Sequence, residues 1–310
     1  MDEDVAFSDI DPEEVEEKEI RELTQETINQ GLSLLCRTGN GLQHAFVKLE
    51  LVDKGLIDIT SVGRYIHLRF LDVSGNQLSD LSPVASLTQL LWLKVDNNAI
   101  STFVGQPLDK LTFLQWLSAS SNCLKDLDGL AVPSLESLNL SGNGYSSMRS
   151  FQGDNFANLV TLELRGNQLE TTDGINLPNL RRLYLAQNSI NRLEGLDNLP
   201  KLVILHLRDN LLENLDGLSP QLKSLQYLNI RGNAIADENA LQALKFLSKS
   251  LQALVLYENP ISDKTDYRTD VLMVIPSLER LDKDAVTLEE REDVLERIKE
   301  LKEEESATEL

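Results

Sequence analysis

The amino-acid sequence predicts an α/β solenoid, a curved wall made of short coils stacked one on the next. The first observation behind this prediction is the pattern L-x-x-L-x-L-x-x-N, whose leucines follow neither the two-residue period of a strand nor a coiled-coil heptad. The second is its recurrence at intervals of 21 to 26 residues, a period typical of leucine-rich repeats. Nine copies end at Asn76, Asn98, Asn122, Asn143, Asn167, Asn188, Asn210, Asn233 and Asn259.

Each part of the pattern has a physical role in a coil. The x-L-x-L-x stretch predicts a short strand, because its leucines alternate inward while the residues between them face outward. The asparagine follows the strand, where its amide can bond backbone groups that would otherwise be buried unpaired, so its loss should cost about 1–3 kcal/mol. The following segment returns along the convex side with apolar residues for the core, such as Ile190, Leu193, Leu196 and Leu199.

A tenth, degenerate copy precedes the nine. It reads FVKLELVDK and carries Lys54 where the pattern has asparagine, 22 residues before Asn76. The sequence therefore predicts a right-handed leucine-rich-repeat solenoid of about ten coils over residues 46–266, whose strands form one concave parallel sheet. Because a terminal coil has a neighbour on one side only, both ends of the array need caps.

Residues 24–45 predict a helical cap at the amino end. Thr24 is a suitable N-cap residue, and Gly39 is a stop signal. Between them, the residues at helical spacing are Ile28, Leu32 and Leu35.

Residues 267–302 predict a cap at the carboxyl end. The stretch YRTDVLMVIPSLERLD resembles the motif that closes many intracellular leucine-rich-repeat proteins. Thr287 and Glu290 then have capping-box spacing, and Leu295 and Ile298 indicate an amphipathic helix to about residue 302. This helix is either an end cap or a docking element for a partner. The longest interval between asparagines, 26 residues, indicates a further helix on the convex side.

The net charge of −21 is concentrated at the two ends. Residues 1–30 hold 12 acidic and 2 basic residues, and residues 282–310 hold 12 acidic and 5 basic residues. Like-charge blocks of this kind predict solvated, disordered tails, here residues 1–23 and 303–310. Such tails disfavour nucleic acid as a partner, because they repel phosphate.

The composition favours an intracellular, soluble protein. Two cysteines, Cys36 and Cys123, are too few for a disulfide framework or a multi-cysteine zinc site. The first residues are acidic and lack the basic and apolar regions of a signal peptide. No apolar run approaches the roughly 18 residues that a membrane span needs, so no membrane partner is expected.

The coil pattern also predicts which side chains the concave sheet displays. Both tryptophans of the chain fall there, in the same register as Phe70, so the sequence predicts an aromatic ladder over three successive coils. Further along, arginines lie among tyrosines and a histidine, and these residue types are common at binding hot spots. The predicted partner-binding residues are Phe70, Trp92, Trp116, Arg165, Arg182, Tyr184, His206, Arg208, Tyr227, Arg231 and Tyr257.

Two further roles for this face stay open. The exposed aromatics could simply pack against one another and stiffen the sheet. Alternatively, interleaved basic and aromatic residues can bind single-stranded nucleic acid, although only half of the face has that character. A protein partner accounts for more of the pattern, because solvent-facing tryptophans in adjacent coils form an unfavourable apolar patch unless they are covered.

No catalytic, cofactor-binding or metal-binding residues are predicted. The sequence contains no phosphate-binding glycine loop, no G-x-S-x-G and no H-E-x-x-H. The coil register brings no serine or cysteine to His206, and Cys123 suits a small filler after its turn. An enzyme and a small-molecule substrate are therefore not expected.

Several segments resemble the ciliary leucine-rich repeat-containing protein 23 family. The most diagnostic is QGLSLLCRTGNGLQHAFVKLE, because it lies mostly outside the repeats and coil geometry does not dictate it. The others include YIHLRFLDVSGN, LTQLLWLKVDNN, LELRGNQLETTDGINLPNLRRLYLAQN, KSLQYLNIRGN and PSLERLDK. The resemblance covers roughly residues 26–290.

That resemblance implies a structural component of the radial spokes of motile cilia and flagella, located at the third spoke and its head. It implies spoke subunits as protein partners, and a location in the cytoplasmic cytoskeleton, on the axoneme of the cilium or flagellum. The repeats taken alone resemble the 22-residue subfamily typified by the leucine-rich regulatory subunit of protein phosphatase one. A phosphatase regulator is therefore the alternative function.

Overall fold

The structure is a computed structural model that describes residues 21–308 apart from 40 and 42, with side chains except at 301, 302 and 304–308. Most of the predicted amino-terminal tail, residues 1–20, lies outside the described residues, and so do 309 and 310. The end of that predicted tail is ordered on the first coil, since Arg21 N donates to Gly55 O at 2.9 Å.

In the described part of the chain, one sheet of thirteen strands runs in sequence order. The first and last strand pairs are antiparallel, and all the pairs between them are parallel. The strands are β1 (Leu32–Thr38), β2 (Gln43–Glu50), β3 (Phe70–Asp72), β4 (Trp92–Lys94), β5 (Trp116–Ser118), β6 (Ser137–Asn139), β7 (Thr161–Glu163), β8 (Arg182–Tyr184), β9 (Ile204–His206), β10 (Tyr227–Asn229), β11 (Ala253–Val255), β12 (Arg280–Leu281) and β13 (Asp284–Ala285).

Repeated leucines form the core of the solenoid in columns. The central residue of each strand from β3 to β11 is a fully buried leucine, and strand register places it beside the equivalent leucine of the next coil. Stacking therefore buries continuous apolar columns that no single coil could bury alone. The column through the strands consists of Leu71, Leu93, Leu117, Leu138, Leu162, Leu183, Leu205, Leu228 and Leu254.

The asparagine at the end of each repeat has the predicted structural role. Asn167, for example, donates from Nδ2 to the carbonyl oxygens of Leu140 at 3.0 Å and Leu164 at 2.9 Å. Its Oδ1 accepts from the backbone N–H of Tyr145 at 3.1 Å. One amide thus satisfies buried backbone groups in its own coil and in the coil before it.

This asparagine ladder has a direction. Each Oδ1 accepts a hydrogen bond from a backbone N–H of the preceding coil. Asn76, in the second coil, thus accepts from Lys54 N at 3.1 Å and Leu56 N at 3.0 Å, both in the first coil. Asn76 Nδ2 also donates to Leu51 O of that coil at 2.8 Å. The first coil therefore needs no asparagine of its own, which explains why Lys54 is tolerated there.

The convex side is made of turns and short 3-10 helices. The helix predicted in the longest interval is present over Glu238–Leu247, with 3-10 geometry and with Leu241 and Leu244 buried. The other 3-10 helices are Thr60–Arg64, Ser82–Ser86, Leu108–Lys110, Leu196–Asn198 and Pro260–Asp263.

The amino-terminal cap differs from the prediction. The helix α1 (Gln25–Gly31) begins as predicted, with Thr24 Oγ1 accepting from Thr27 N at 3.2 Å. It ends at Gly31, and the chain then forms the β1–β2 hairpin, so the prediction of a helical cap over 24–45 is wrong beyond that residue. Leu32 pairs with Leu49, and Leu35 is 59% exposed. The physical reason is that β2 presents unpaired backbone groups, which an antiparallel strand satisfies and a helix cannot.

The carboxyl-terminal cap contains helices α2 (Tyr267–Val274) and α3 (Leu288–Thr308). The predicted capping box is present, with Thr287 N donating to Glu290 Oε2 at 2.8 Å and Glu290 N donating to Thr287 Oγ1 at 3.2 Å. The helix continues beyond the predicted end near residue 302, so the predicted tail from 303 is wrong through Thr308. Within the described part of the chain, no helix has both the length and the apolar character that a membrane span requires.

Polar contacts fix α3 to the end of the solenoid. Arg268 forms an ion pair with Glu290, and Arg291 donates to the carbonyl oxygens of Pro276 and Leu278, both at 2.7 Å. Val294 is buried against the core. The first part of α3 is therefore an integral piece of the cap.

Candidate functional site: the concave face

The concave face is built from alternate residues of the strands. In each three-residue strand from β3 to β11 the first and third residues flank the buried leucine, and the tightly stacked coils place equivalent residues in rows across the sheet. The residues predicted to bind a partner all fall in these rows or at the outward position two residues after a strand. The face divides into an aromatic half, β3 to β5, and an arginine half, β7 to β11.

In the aromatic half the two tryptophans stack on each other. Trp92 and Trp116 are register partners on adjacent strands, with ring centroids 4.6 Å apart and planes inclined by 11°. Both rings are partly exposed to solvent. The stack contains these two rings rather than the predicted three. Phe70 is the register partner of Trp92 on the other side, without a ring contact to it among the described residues.

An apolar recess of about 350 Å³ lies beside this stack. Its lining consists of Leu34, Lys48, Phe70 and Trp92. Leu34 has a left-handed backbone, with φ of 56°, and is 55% exposed. A leucine in this conformation is strained, and such strain is often found at binding surfaces. The sequence analysis did not identify Leu34 as a surface residue of this site, because it predicted a helix for the segment. The β1–β2 hairpin places Leu34 at the recess.

Several polar side chains at outward positions of the concave face are buried rather than displayed. Asp96 Oδ1 accepts from Ser118 Oγ at 2.6 Å and from Ser120 N at 2.8 Å. Lys94 Nζ lies between two carboxylates, 3.8 Å from Asp72 Oδ2 and 3.7 Å from Asp96 Oδ2. The coil register predicts outward positions for five residues that neighbouring coils cover: Asp72, Ser74, Asp96, Ser118 and Asn229.

Aromatic rings also run through the arginine half. The centroids of Tyr184 and His206 are 4.9 Å apart, and those of His206 and Tyr227 are 5.0 Å apart. Burial lowers the pKa of His206 below its ordinary value, which favours the neutral imidazole at pH 7. The histidine thus contributes a flat ring to the stack rather than a fixed positive charge.

Guanidinium groups flank these rings on both sides. Arg165 Nε donates to Gln187 Oε1 at 2.9 Å, and Arg208 Nε lies 3.0 Å from Asp209 Oδ2. Arg182 is exposed, and no ion pair or side-chain hydrogen bond to it is seen within the described residues. The side chains of this set that the sequence predicted are Arg165, Arg182, Arg208 and Arg231.

The carboxyl end of the face combines an ion pair with cation–π contacts. Arg231 Nε donates to Glu258 Oε2 at 2.6 Å. The guanidinium carbon of Arg231 lies 4.5 Å from the ring centroid of Tyr257, and Lys283 Nζ lies 5.2 Å from the same centroid. Tyr257 therefore carries two cations near its ring, an arrangement that holds the arginine in place.

A polar recess of about 490 Å³ opens between the rings and the guanidinium groups. Burial, followed by the negative charge of Asp96, raises the pKa of Glu163 in its wall. The residues that line the recess are Glu163, Arg165, Tyr184, Ala186, Gln187, His206, Arg208, Asp209 and Asn229. Within the described ranges, no group of three or more His, Cys, Asp or Glu side chains could hold a metal ion.

These features define a leucine-rich-repeat protein whose displayed surface suits protein–protein interaction. The family described as "Leucine-rich repeat" matches residues 148–310, and "Leucine Rich Repeat" matches residues 67–87. Among solved structures, internalin C2 of Listeria monocytogenes superimposes with a TM-score of 0.53 at 27% identity, covering 63% of this chain and 83% of that chain. The likeness to internalin C2 concerns the fold.

Relatives of similar length identify a narrower family. Leucine-rich repeat-containing protein 23 of Bos taurus is 48% identical over 269 residues, which is 87% of this chain and 78% of the relative. The Homo sapiens protein of the same description is 46% identical over 286 residues, which is 91% of this chain and 82% of the relative. The chain belongs to the leucine-rich repeat-containing protein 23 family.

Proposed function

We propose that the protein is a non-enzymatic structural scaffold of the radial spokes of motile cilia and flagella. In this role it is located at the third spoke near its head and binds neighbouring spoke subunits through its concave face. The spoke assignment rests on the family resemblance, and the mode of binding rests on the geometry of the concave sheet. The protein then resides on the axoneme, in the cytoplasmic cytoskeleton of the cilium or flagellum.

The observation that carries the binding mode is the stacked pair Trp92–Trp116 on the solvent side of the sheet. Large aromatic side chains supply much of the binding energy at protein interfaces, and they do so best where neighbouring residues exclude water. The apolar recess beside the stack gives a partner side chain a place to insert. Exposed apolar area of this kind is unfavourable in water, so a partner that covers it gains the energy of burial.

The short coils also support a second candidate function. Repeat intervals of 21 to 26 residues resemble those of the regulatory subunit of protein phosphatase one. A regulator of this type would bind a catalytic phosphatase against the same concave face. The two functions use one surface but predict different cellular fractions.

The experiment compares retention of variants on detergent-extracted axonemes from ciliated cells. The double variant Trp92→Ala/Trp116→Ala should lose retention, while the wild-type chain should leave the axoneme only at high salt. Phe246→Ala is the matched control, because Phe246 is 58% exposed and lies on the convex 3-10 helix. Its retention should equal that of the wild type.

Each outcome assigns the function. Stacking of the pair adds about 1 kcal/mol beyond area burial, and both rings are partly exposed, so the double variant should keep its melting temperature within a few degrees. Full retention of this folded variant would refute the concave face as the binding surface. Recovery of the wild-type chain from cytosol with a phosphatase catalytic subunit, and its absence from axonemes, would favour the regulator instead.

A further inference from the structure

The arginine half of the concave face has a charge character that the rest of the chain lacks. The chain carries a net charge of −21, and in the aromatic half Lys94 faces two carboxylates, Asp72 and Asp96. In the arginine half the balance is reversed. Four arginines, Arg165, Arg182, Arg208 and Arg231, lie among three carboxylates, Glu163, Asp209 and Glu258, whereas Lys283 stands between Asp282 and Asp284 in the sequence.

The arrangement of these cations matters as much as their number. Arg182 occupies the first outward position of its strand, whereas Arg165 and Arg208 follow the ends of theirs. The rings of Tyr184 and His206 occupy third positions, between the two sets, and Tyr227 continues the stack at a first position, in the row of Arg182. The result is a row of tilted rings with Arg182 on one side of Tyr184 and His206 and with Arg165 and Arg208 on the other.

Arg182 shows that this charge is not fully neutralised within the protein. Arg208 and Arg231 have carboxylate partners in the same or the next coil, but the described residues provide none for Arg182. Guanidinium groups bind carboxylates through paired hydrogen bonds of defined geometry. A site that displays an unneutralised guanidinium beside a row of rings is complementary to an anion carried on a chain.

We propose that the arginine half binds an acidic, extended segment of a partner protein. The inference rests on the proposed function, since it takes the concave face as the partner-binding surface, and it adds the chemistry of the partner. Carboxylates of the segment pair with Arg182 on one edge and with Arg165 and Arg208 on the other. The apolar parts of the segment lie on the rings between them.

Two other anionic occupants of the arginine half are tested against the acidic partner segment: nucleic acid and the acidic amino-terminal residues of this chain. Nucleic acid also presents anions and flat bases, but residues 1–30 and 282–310 are strongly acidic and repel phosphate. The acidic residues 1–20 of this chain could occupy the site in place of a partner. Both are tested as separate outcomes.

The test measures binding of a fluorescein-labelled peptide of alternating glutamate and alanine to the purified full chain. About eight residues suffice, because five strands at about 4.8 Å span about 20 Å and an extended chain advances about 3.3 Å per residue. A peptide with glutamine in place of glutamate is the uncharged control. Arg182→Gln removes the unpaired cation, and Arg192→Gln is the matched variant, since Arg192 is exposed on the convex side.

We expect the glutamate peptide to bind the wild-type chain at low salt and the glutamine peptide not to bind. Arg182→Gln should weaken binding roughly tenfold, the usual effect of losing one charge-assisted contact, and Arg192→Gln should leave it unchanged. Equal affinity of the two variants would overturn the proposal. Tighter binding of a single-stranded oligonucleotide than of the glutamate peptide would overturn it in favour of nucleic acid.

A chain that lacks residues 1–20 separates the remaining outcome. If the peptide binds only to this shortened chain, the site is occupied by the protein's own acidic residues and the partner proposal is overturned. The outcome is independent of the axoneme experiment, which depends on the two tryptophans. Loss of axoneme retention in the tryptophan variant, together with failure of the peptide to bind, would leave the scaffold function standing and refute this inference alone.

Discussion

The two ends of the solenoid satisfy the backbone groups of their terminal coils by different means. At the amino end, Asn76 bonds backbone groups of the first coil, and position 54 can be a lysine. At the carboxyl end β11 is followed by the two-residue strand β12 rather than by a full coil. There Asp282 Oδ1 accepts from Leu256 N at 2.7 Å and Tyr257 N at 2.9 Å, and Oδ2 accepts from the Tyr267 hydroxyl at 2.9 Å.

The difference between the ends follows from the direction of the hydrogen bonds between coils. The backbone N–H that follows each strand donates to a carbonyl oxygen of the next coil, as Leu207 N does to Asn229 O and Ile230 N to Val255 O, and the last coil has no such coil after it. A carboxylate at Asp282 supplies that acceptor where the chain turns away from the sheet, with a left-handed φ of 58°. The amino end instead has an open sheet edge, which the β1–β2 hairpin extends.

The largest effect is expected from an asparagine in the middle of the ladder. Asn167→Ala removes the acceptor for Tyr145 N and the donor for Leu140 O and Leu164 O. It should lower the free energy of unfolding by about 3 kcal/mol, measured by denaturant titration. The exposed Asn155→Ala should change it by less than about 0.5 kcal/mol. Equal effects of the two variants would break the link between the ladder and stability.

A somewhat smaller effect is expected at the carboxyl end. Asp282→Ala leaves two backbone N–H groups and the Tyr267 hydroxyl without their acceptor, so the free energy of unfolding should fall by about 2 kcal/mol. Asp282→Asn keeps an acceptor oxygen and should recover most of this loss. No change in Asp282→Ala, measured by the same titration, would show that the last coil does not need a substitute acceptor.

The carboxyl-terminal cap also predicts a pH dependence. The ion pair with Arg268, followed by hydrogen bonds from Thr287, lowers the pKa of Glu290 from 4.5 to about 2. Because the folded pKa is depressed, the stabilisation is complete above pH 4.5 and is lost as the pH falls toward 2. The difference in melting temperature between wild type and Glu290→Gln should therefore shrink over that interval. Glu292→Gln, at an exposed position of α3, should show a difference that does not vary in this way.

The smallest effect is expected at position 54. Lys54→Asn restores the repeat pattern in the first coil, but Asn76 already bonds Leu51 O and the two N–H groups there. The free energy of unfolding should stay within about 0.5 kcal/mol of the wild type. A gain of more than about 1 kcal/mol on denaturant titration would show that the first coil lacks a hydrogen bond that an asparagine at position 54 supplies. That result would contradict the claim that Asn76 already satisfies the first coil.

The coils were predictable from the sequence because their geometry is local and repeated. The leucine columns and the asparagine ladder lie where the pattern places them, since one coil dictates the spacing of the next. The amino-terminal cap was not predictable in the same way. Ile28, Leu32 and Leu35 fit a helix, but pairing with β2 outweighs that local preference after Gly31.

The sequence predicted which residues lie in each row of the concave face, but it did not predict the contacts between their side chains. The register assigns Trp92 and Trp116 to neighbouring strands, and the structure adds their stacking. Side-chain packing then decides details that no spacing contains, such as the burial of Asp72 and Asp96 around Lys94. The recess at Leu34 depends on the hairpin, so it could not follow from a helical prediction.

Site-directed photo-cross-linking in ciliated cells would show whether a protein partner covers the concave face, on which the proposed function depends. The photoreactive residue p-benzoylphenylalanine replaces either Trp116 on the concave face or Phe246 on the convex side, which is 58% exposed. We expect a covalent adduct with an axonemal protein from position 116 and none from position 246. An adduct from position 246 alone would contradict the proposed binding surface.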